Sequence, residues 1–315
     1  MKTKPTSKKM ATSEKAPSSE NQVRLLIWTV PRSLSTVLSK CLSFVENTKV
    51  FFEMYESIFI APGVKTEDEM ANMSEEEQKF LLAVREKAHG ISAGVDASQC
   101  TFQGVKEQLE EAHTGKKFIF SKDMAYAVMD RLESIPKGFR HLFLIRHPLK
   151  VFPSWKRSFL PLVPYMSLAD DYRLDDLPQK YFPKGFGYKE VYELFEHVKK
   201  ELDPEAIIID ADDLLKDPKG ILSAVFNDIG LPFDEKILNW EAGDAVIEQW
   251  IIPRLYVQVD QLVGFYKNAL DSTCFLKPKP LPDRSSISPD LLPFVDASMP
   301  YYQKMYSQRL SASKS

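Results

Sequence analysis

Cysteine is scarce: Cys41, Cys100 and Cys274 are the only three in 315 residues. They are too few and too scattered for a disulfide framework or a zinc site, and a reduced, cytoplasmic setting is the simplest expectation. Long apolar runs are also missing. No stretch approaches the roughly 18 residues of a spanning helix. The first twenty residues, MKTKPTSKKMATSEKAPSSE, lack the apolar core of a secretory signal. Residues 1–21 read instead as a disordered tail, rich in Lys, Ser and Pro. There is no excess of basic charge: the net charge is −3 and the pI about 6.0. Nucleic acid and anionic membrane are therefore disfavoured as partners. Two further absences are local. The hexapeptide PRSLST at residues 31–36 contains no glycine, and SKDM at residues 121–124 contains no histidine.

What is present is enough to bury a full core, since 44% of the chain is hydrophobic. Short, continuous apolar runs alternate with helical spacing. Residues 23–29, 49–53 (KVFFE), 117–123 (KFIFSKD), 141–146 (HLFLIR) and 206–210 (AIIID) read as strands. Helices are predicted over 37–44, 75–89 with Ser74 as its cap, 101–113, 125–135 and 217–229. This alternation predicts an α/β three-layer sandwich with a central, mostly parallel sheet of about five strands. No linker divides the chain, so residues 22–315 read as one domain. Residues 160–187, rich in Pro, Tyr and Phe, read as a lid-like loop. Residues 245–312 read as a helical C-terminal part, with one long helix over 245–270 and a last one near 291–310.

Ligands of open parallel sheets sit beyond the C-terminal ends of the strands. The five predicted strands end on the PRSLST turn, Glu53, Lys122 with Asp123, Arg146 and Asp210. A strand, a tight polar turn and a helix N-terminus form an anion site from backbone N–H groups. The turn is not a Walker A loop, which needs GxxxxGK[ST]; a kinase or ATPase fits poorly. Arg32 supplies a permanent, bidentate positive charge in its place.

PRSLST, followed by a helix and KVFFE, together with LIRHPLKVFPSW, resembles the cytosolic-type sulfotransferase superfamily, whose donor is 3′-phosphoadenylyl sulfate (PAPS). Residues 31–36 resemble that family's 5′-phosphosulfate loop. Arg146, Pro148 and Ser154 match its R-x-P-x5-S motif for the 3′-phosphate, and residues 210–233 match a third shared block. WEAG at 240–243 and ALDSTCF at 269–275 are similar to a branch labelled by analogy with branched-chain aminotransferases. The resemblance covers roughly residues 24–275.

The resemblance implies a PAPS-dependent sulfotransferase that leaves adenosine 3′,5′-bisphosphate (PAP) as product and uses no metal. It implies that Pro31, Arg32, Ser33, Leu34, Ser35, Thr36, Arg146, Ser154 and Ser272 hold the donor, with Arg32 on the sulfuryl group. The acceptor would be a small alcohol or phenol. Three family features are replaced here: the first-motif lysine by Arg32, the third-strand histidine by Asp123 after Lys122, and the adenine-stacking aromatics by Val37 and Ala211. Arg32 cannot give up a proton, so the base is sought among carboxylates, with Glu53 first and Asp123 second. Tyr55, Tyr126, Trp155, Phe182 and Phe186 are candidates for an acceptor wall. A sulfotransferase-like protein that binds a nucleotide or anion without turnover is the alternative.

Overall fold

The computed structural model describes residues 22–60, 75–87, 94–95, 100–166, 168–169 and 171–311. The N-terminal tail and Ser74, the expected cap of the helix at 75–89, lie outside these residues. Six strands form one sheet: β1 (Val23–Thr29), β2 (Thr48–Phe52), β3 (Phe118–Met124), β4 (Arg140–Ile145), β5 (Ile207–Asp210) and β6 (Trp250–Ile251). Their order is β5-β4-β1-β3-β2-β6, and every pairing is parallel. The helices are α1 (Ser35–Ser43), α2 (Met54–Ile60), α3 (Glu75–Lys87), α4 (Phe102–Glu110), α5 (Pro148–Phe159), α6 (Tyr188–Glu201), α7 (Ala211–Lys216), α8 (Pro218–Asp228), α9 (Arg254–Val263), α10 (Lys267–Leu270) and α11 (Leu292–Tyr306).

Because successive strand residues point to opposite faces, β1 feeds two cores. Leu26 and Trp28 pack with Phe51, Ile119 and Phe143 against α5, α6 and α11. Leu25 and Ile27 pack with Val50, Phe52, Phe120 and Leu144 against α1, α7 and α8. The result is the expected three-layer α/β sandwich, with six strands, all parallel. Register brings the C-terminal ends level. Thr29 lies opposite Met124 on one side and Leu144 on the other. Phe52 lies opposite Lys122, so Glu53 emerges beside the end of β3.

Two predicted helices are broken. Over residues 245–270 there is a 3₁₀ turn (Ala245–Gln249), then β6, then α9 and α10. Trp250 and Ile251 pair with Val50 and Phe51 at the sheet edge. Pro253 precedes α9, and Gly264 ends it at φ 67°. Over 125–135 the chain forms only the short 3₁₀ turns Ala125–Val128 and Leu132–Ser134. All four residues of the first turn are buried, so no exposed face exists for an amphipathic helix. Residues 160–187 hold the 3₁₀ turns Leu160–Tyr165 and Leu174–Asp176, with Tyr172, Leu174 and Phe182 buried. Among the described residues no helix is long and apolar enough to cross a membrane.

Candidate active site

After β1 the chain turns through two non-glycine residues in the left-handed region, Arg32 at φ 64° and Leu34 at φ 73°. Ser33 faces inward: its hydroxyl donates to Val30 O (2.9 Å) and pairs with Thr29 Oγ1. It is fully buried and off the cavity wall, so it shapes the turn rather than facing a ligand. Leu34 occupies the N-cap of α1 without a side-chain cap. The first N–H groups of α1, at Ser35 and Thr36, are thus left to whatever occupies the cavity that both residues line.

Arg32 is anchored by Nε donating to Ser154 Oγ (3.2 Å) and Nη1 donating to Phe265 O (3.3 Å). Arg146, directly after β4, donates from Nη1 to Arg32 O (3.0 Å), and Tyr188 Oη donates to Arg146 O (2.6 Å). The Nε of Arg146 is buried with no partner among the described residues. Neither arginine forms an ion pair among the described residues. Burial, then Arg146, pulls the Arg32 pKa down, with Glu53 acting the other way. Burial pulls Arg146 down as well. His147 is the N-cap of α5, accepting from Leu149 N (3.2 Å), which leaves it with a structural task.

Glu53 sits at φ 54°, its N–H donating to Lys122 O at 2.8 Å as a last rung of the ladder. Its two carboxylate oxygens accept from Lys122 Nζ and from Tyr266 Oη. Lys122 is fully buried, with its ammonium 4.9 Å from the Phe52 ring centroid. Asp123, the adjacent strand residue, points the other way. It accepts from Tyr55 N (2.6 Å), Glu56 N (2.9 Å) and Met124 N (3.0 Å), and it does not line the cavity. Burial pushes its carboxyl up to about 7 against those three donors. Asp123 therefore caps the start of α2, and of the two expected bases it is Glu53 that lines the cavity. Asp210 is likewise taken by capping α7, through Asp212 N and Asp213 N, and by Tyr302 Oη at 3.0 Å.

The cavity spans about 1420 Å³. Pro31, Arg32, Leu34, Ser35, Thr36, Arg146, Ser154 and Ser272 all line it, together with Glu53 and Lys122. Ser272 is held in place by its own surroundings: Oγ donates to Ala269 O (2.6 Å), and its carbonyl accepts from Trp240 Nε1 (2.8 Å) and from the buried Lys40 Nζ (3.1 Å). This network joins WEAG to ALDSTCF. Near α1, Val37 and Phe275 share one apolar cluster, with Leu215 packed against it, and all three line the cavity. At the Glu53 end the wall turns apolar through Phe59, Phe80, Val84, Leu162 and Val259. Of the five candidate aromatics, Tyr126 and Trp155 line the cavity. Tyr55 instead donates to Ser134 O (2.7 Å), and Phe182 and Phe186 pack on Phe294.

The wall also holds polar and aromatic residues that the sequence did not single out, among them Glu56, Tyr256, Tyr266 and Phe275. Glu56 lies three residues after Glu53 on α2, and Tyr126 Oη donates to its Oε1 at 2.5 Å. Burial, then the neighbouring Glu53, pushes its carboxyl well above the ordinary range. The i, i+3 spacing of two glutamates was a usable signal, but it needed a helix at 54–60 to be seen.

The profile of a family described as "Sulfotransferase domain" matches residues 202–309. A protein of Arabidopsis thaliana named branched-chain-amino-acid aminotransferase-like protein 1 is 26% identical over 290 residues, covering 89% of this chain and 41% of that protein. Its like-named protein 2 is 24% identical over 245 residues, 76% of this chain and 35% of that protein. The chain thus spans about two fifths of the length of the curated relatives it matches, so most of each has no counterpart here. Among solved structures, a sulfotransferase from Alicyclobacillus acidocaldarius shares the fold at a TM-score of 0.50 with 10% identity, covering 92% of this chain and 97% of that one. The resemblance to the sulfotransferase superfamily holds in a matching domain profile and a common fold.

Proposed function

We propose that this chain is a sulfotransferase that moves the sulfuryl group of PAPS to a hydroxyl of a small organic acceptor. One observation carries the reading. Two guanidinium groups, Arg32 and Arg146, are packed on one turn with no carboxylate partner among the described residues, and a buried N–H of Arg146 is left over. Like charges crowded beside an uncapped helix N-terminus fit a polyanion. The cavity is also larger than the roughly 300–1,000 Å³ that one ligand takes, which suits a donor and an acceptor side by side.

In this reading Arg146 and Ser154 hold the 3′-phosphate, while Ser35, Thr36 and the α1 N-terminus hold the 5′-phosphate. Val37, Leu215 and Phe275 wall the adenine. PAPS brings an electrophilic sulfur with a phosphate leaving group, so the acceptor oxygen forms an S–O bond as the phosphate–sulfur bridge breaks. Arg32 meets the charge that develops on the bridging oxygen, from a fixed position and without proton transfer. Glu53 takes the acceptor's proton on its carboxylate, and Lys122 and Tyr266 keep that carboxylate aimed. Because both Glu53 oxygens already accept one hydrogen bond, a binder without turnover is the second reading.

The test is a titration with adenosine 3′,5′-bisphosphate, AMP and ATP, with and without Mg²⁺. The bisphosphate should bind best, and Arg146→Ala should weaken it by about 10- to 100-fold, the loss of one charge-assisted contact, while AMP changes little. A Mg²⁺-dependent preference for ATP would overturn both readings. Acceptor-dependent release of the bisphosphate from PAPS separates enzyme from binder.

A further inference from the structure

We propose that Glu56 and Tyr256 form a second polar subsite beside Glu53, and that the acceptor is accordingly an apolar molecule with two neighbouring hydroxyls, a 1,2- or 1,3-diol, of which one is sulfated. This rests on the transfer reading above for the fate of the first hydroxyl, but the subsite itself stands on the geometry.

Glu56 lies in the first turn of α2, three residues after Glu53, and Glu53 is the charge that acts most strongly on its carboxyl. Both reach the cavity wall. Glu56 Oε1 accepts from Tyr126 Oη, while its Oε2 has no hydrogen bond among the described residues. Tyr256, on α9, lines the same cavity, and its hydroxyl is buried without a partner among the described residues. After burial itself, Glu56 and then Glu53 act most strongly on that hydroxyl, and both line the same cavity. Buried polar groups are nearly always satisfied. The unpartnered Tyr256 hydroxyl and the Glu56 carboxyl, both on residues that line the cavity, suit a ligand group that both donates and accepts.

Charge selects which group. The Glu53 carboxylate is already met by the Lys122 ammonium. Burial beside Glu53 pushes the Glu56 carboxyl up, which favours its neutral form. An ammonium on the acceptor would find no unpaired anion here, and a carboxylate would sit against Glu53. A hydroxyl matches two neutral donor-acceptors. Beyond them the wall is apolar, through Phe59, Phe80, Val84 and Val259, and that part suits a hydrocarbon ring or chain.

The test uses the whole chain saturated with adenosine 3′,5′-bisphosphate and two probes that differ by one hydroxyl, naphthalen-2-ol and naphthalene-2,3-diol, titrated by calorimetry. The diol should bind at least about tenfold more tightly. Tyr256→Phe removes a hydroxyl that bonds to nothing among the described residues, and it should bring the two affinities within about twofold of each other. Equal affinities in the unaltered chain would overturn the proposal, and so would a diol preference that survives in Tyr256→Phe. Sulfuryl transfer from PAPS is assayed separately. A diol preference without any transfer would overturn the transfer reading and leave the subsite standing, whereas transfer without a preference would do the reverse.

Discussion

Glu53→Gln separates the structural from the chemical work of one carboxylate. The substitution keeps the shape but leaves the Lys122 ammonium, fully buried under the Phe52 ring, without a counter-charge. Removing one partner of such a pair costs about 3–5 kcal/mol. Part of the damage is repairable. The amide oxygen can still accept from Lys122, and the Tyr266 hydroxyl can turn to accept from the amide NH₂. The low end, about 3 kcal/mol, is therefore expected, a fall of about 4–5 °C in the unfolding midpoint at this chain length. Replacing Lys122 by Met in the same chain removes the stranded charge and fills its place with a side chain of similar length, next to Met124. The double variant should recover most of the loss, giving a coupling of about 2–3 kcal/mol. Turnover of PAPS should stay down by at least about a hundredfold in both variants, the contribution of a positioned general base. Calorimetric melts and a bisphosphate-release assay on the four proteins of the cycle read both quantities. The reasoning fails if the single variant melts like the parent, if the double variant is less stable than the single, or if turnover in Glu53→Gln is within tenfold of the parent's.

Tyr266→Phe removes the second donor to Glu53 while Phe265 keeps its carbonyl on Arg32. Turnover should fall about tenfold with bisphosphate affinity unchanged in titration; a loss of affinity instead would mean that the residue acts through Arg32. Asp123→Asn should leave turnover within a few-fold, because Asp123 caps α2 and is off the cavity wall; a hundredfold loss would return it to the mechanism. The same variant carries a pH signature. The folded-state value of about 7 lies above the ordinary 3.8, so the folded chain binds the proton more tightly. Stability from this group is therefore greatest below about 4 and declines as pH rises to about 7. Melts from pH 4 to 8 should show that decline reduced in Asp123→Asn, and an unchanged pH profile would refute it.

Much of the sheet was legible because each buried strand is a short apolar run that stops at a charged or hydroxyl-bearing residue. That pattern located the ends of β1 to β5, and with them Arg32, Glu53, Lys122 and Arg146. It could not locate β6, whose two residues are too short for any period and pair with β2 some 200 positions away in sequence. One rule available from the sequence decides between the two carboxylates: Lys122 and Asp123 are neighbours on a strand and must face opposite sides, so only one can join Glu53. Ser33 and Ser35 are separated by a subtler geometry, since the left-handed residues 32 and 34 turn the first hydroxyl inward. Tyr256, Tyr266 and Phe275 were beyond reach. They arrive at the cavity from the C-terminal part, through contacts that no local pattern encodes.

The scarcity of glycine takes on a different sense in the structure. The PRSLST turn lacks the residue that usually supplies left-handed backbone, yet Arg32 and Leu34 both adopt it, and so does Glu53 at the end of β2. Each such non-glycine residue costs about 1–2 kcal/mol. Glycine at positions 32 and 53 would relieve that cost and delete the guanidinium and the carboxylate that the site uses. The backbone is held in place by its neighbours: Arg146 Nη1 bonds the Arg32 carbonyl at 3.0 Å, and the Lys122 carbonyl takes the Glu53 N–H at 2.8 Å. Arg146 and Lys122 thus do two things each. One fixes the strained turn while keeping an N–H free for an anion, and the other fixes the strained strand end while neutralising the carboxylate. At Arg32 and Glu53 the strain falls where a side chain is aimed across the crevice from the end of a strand.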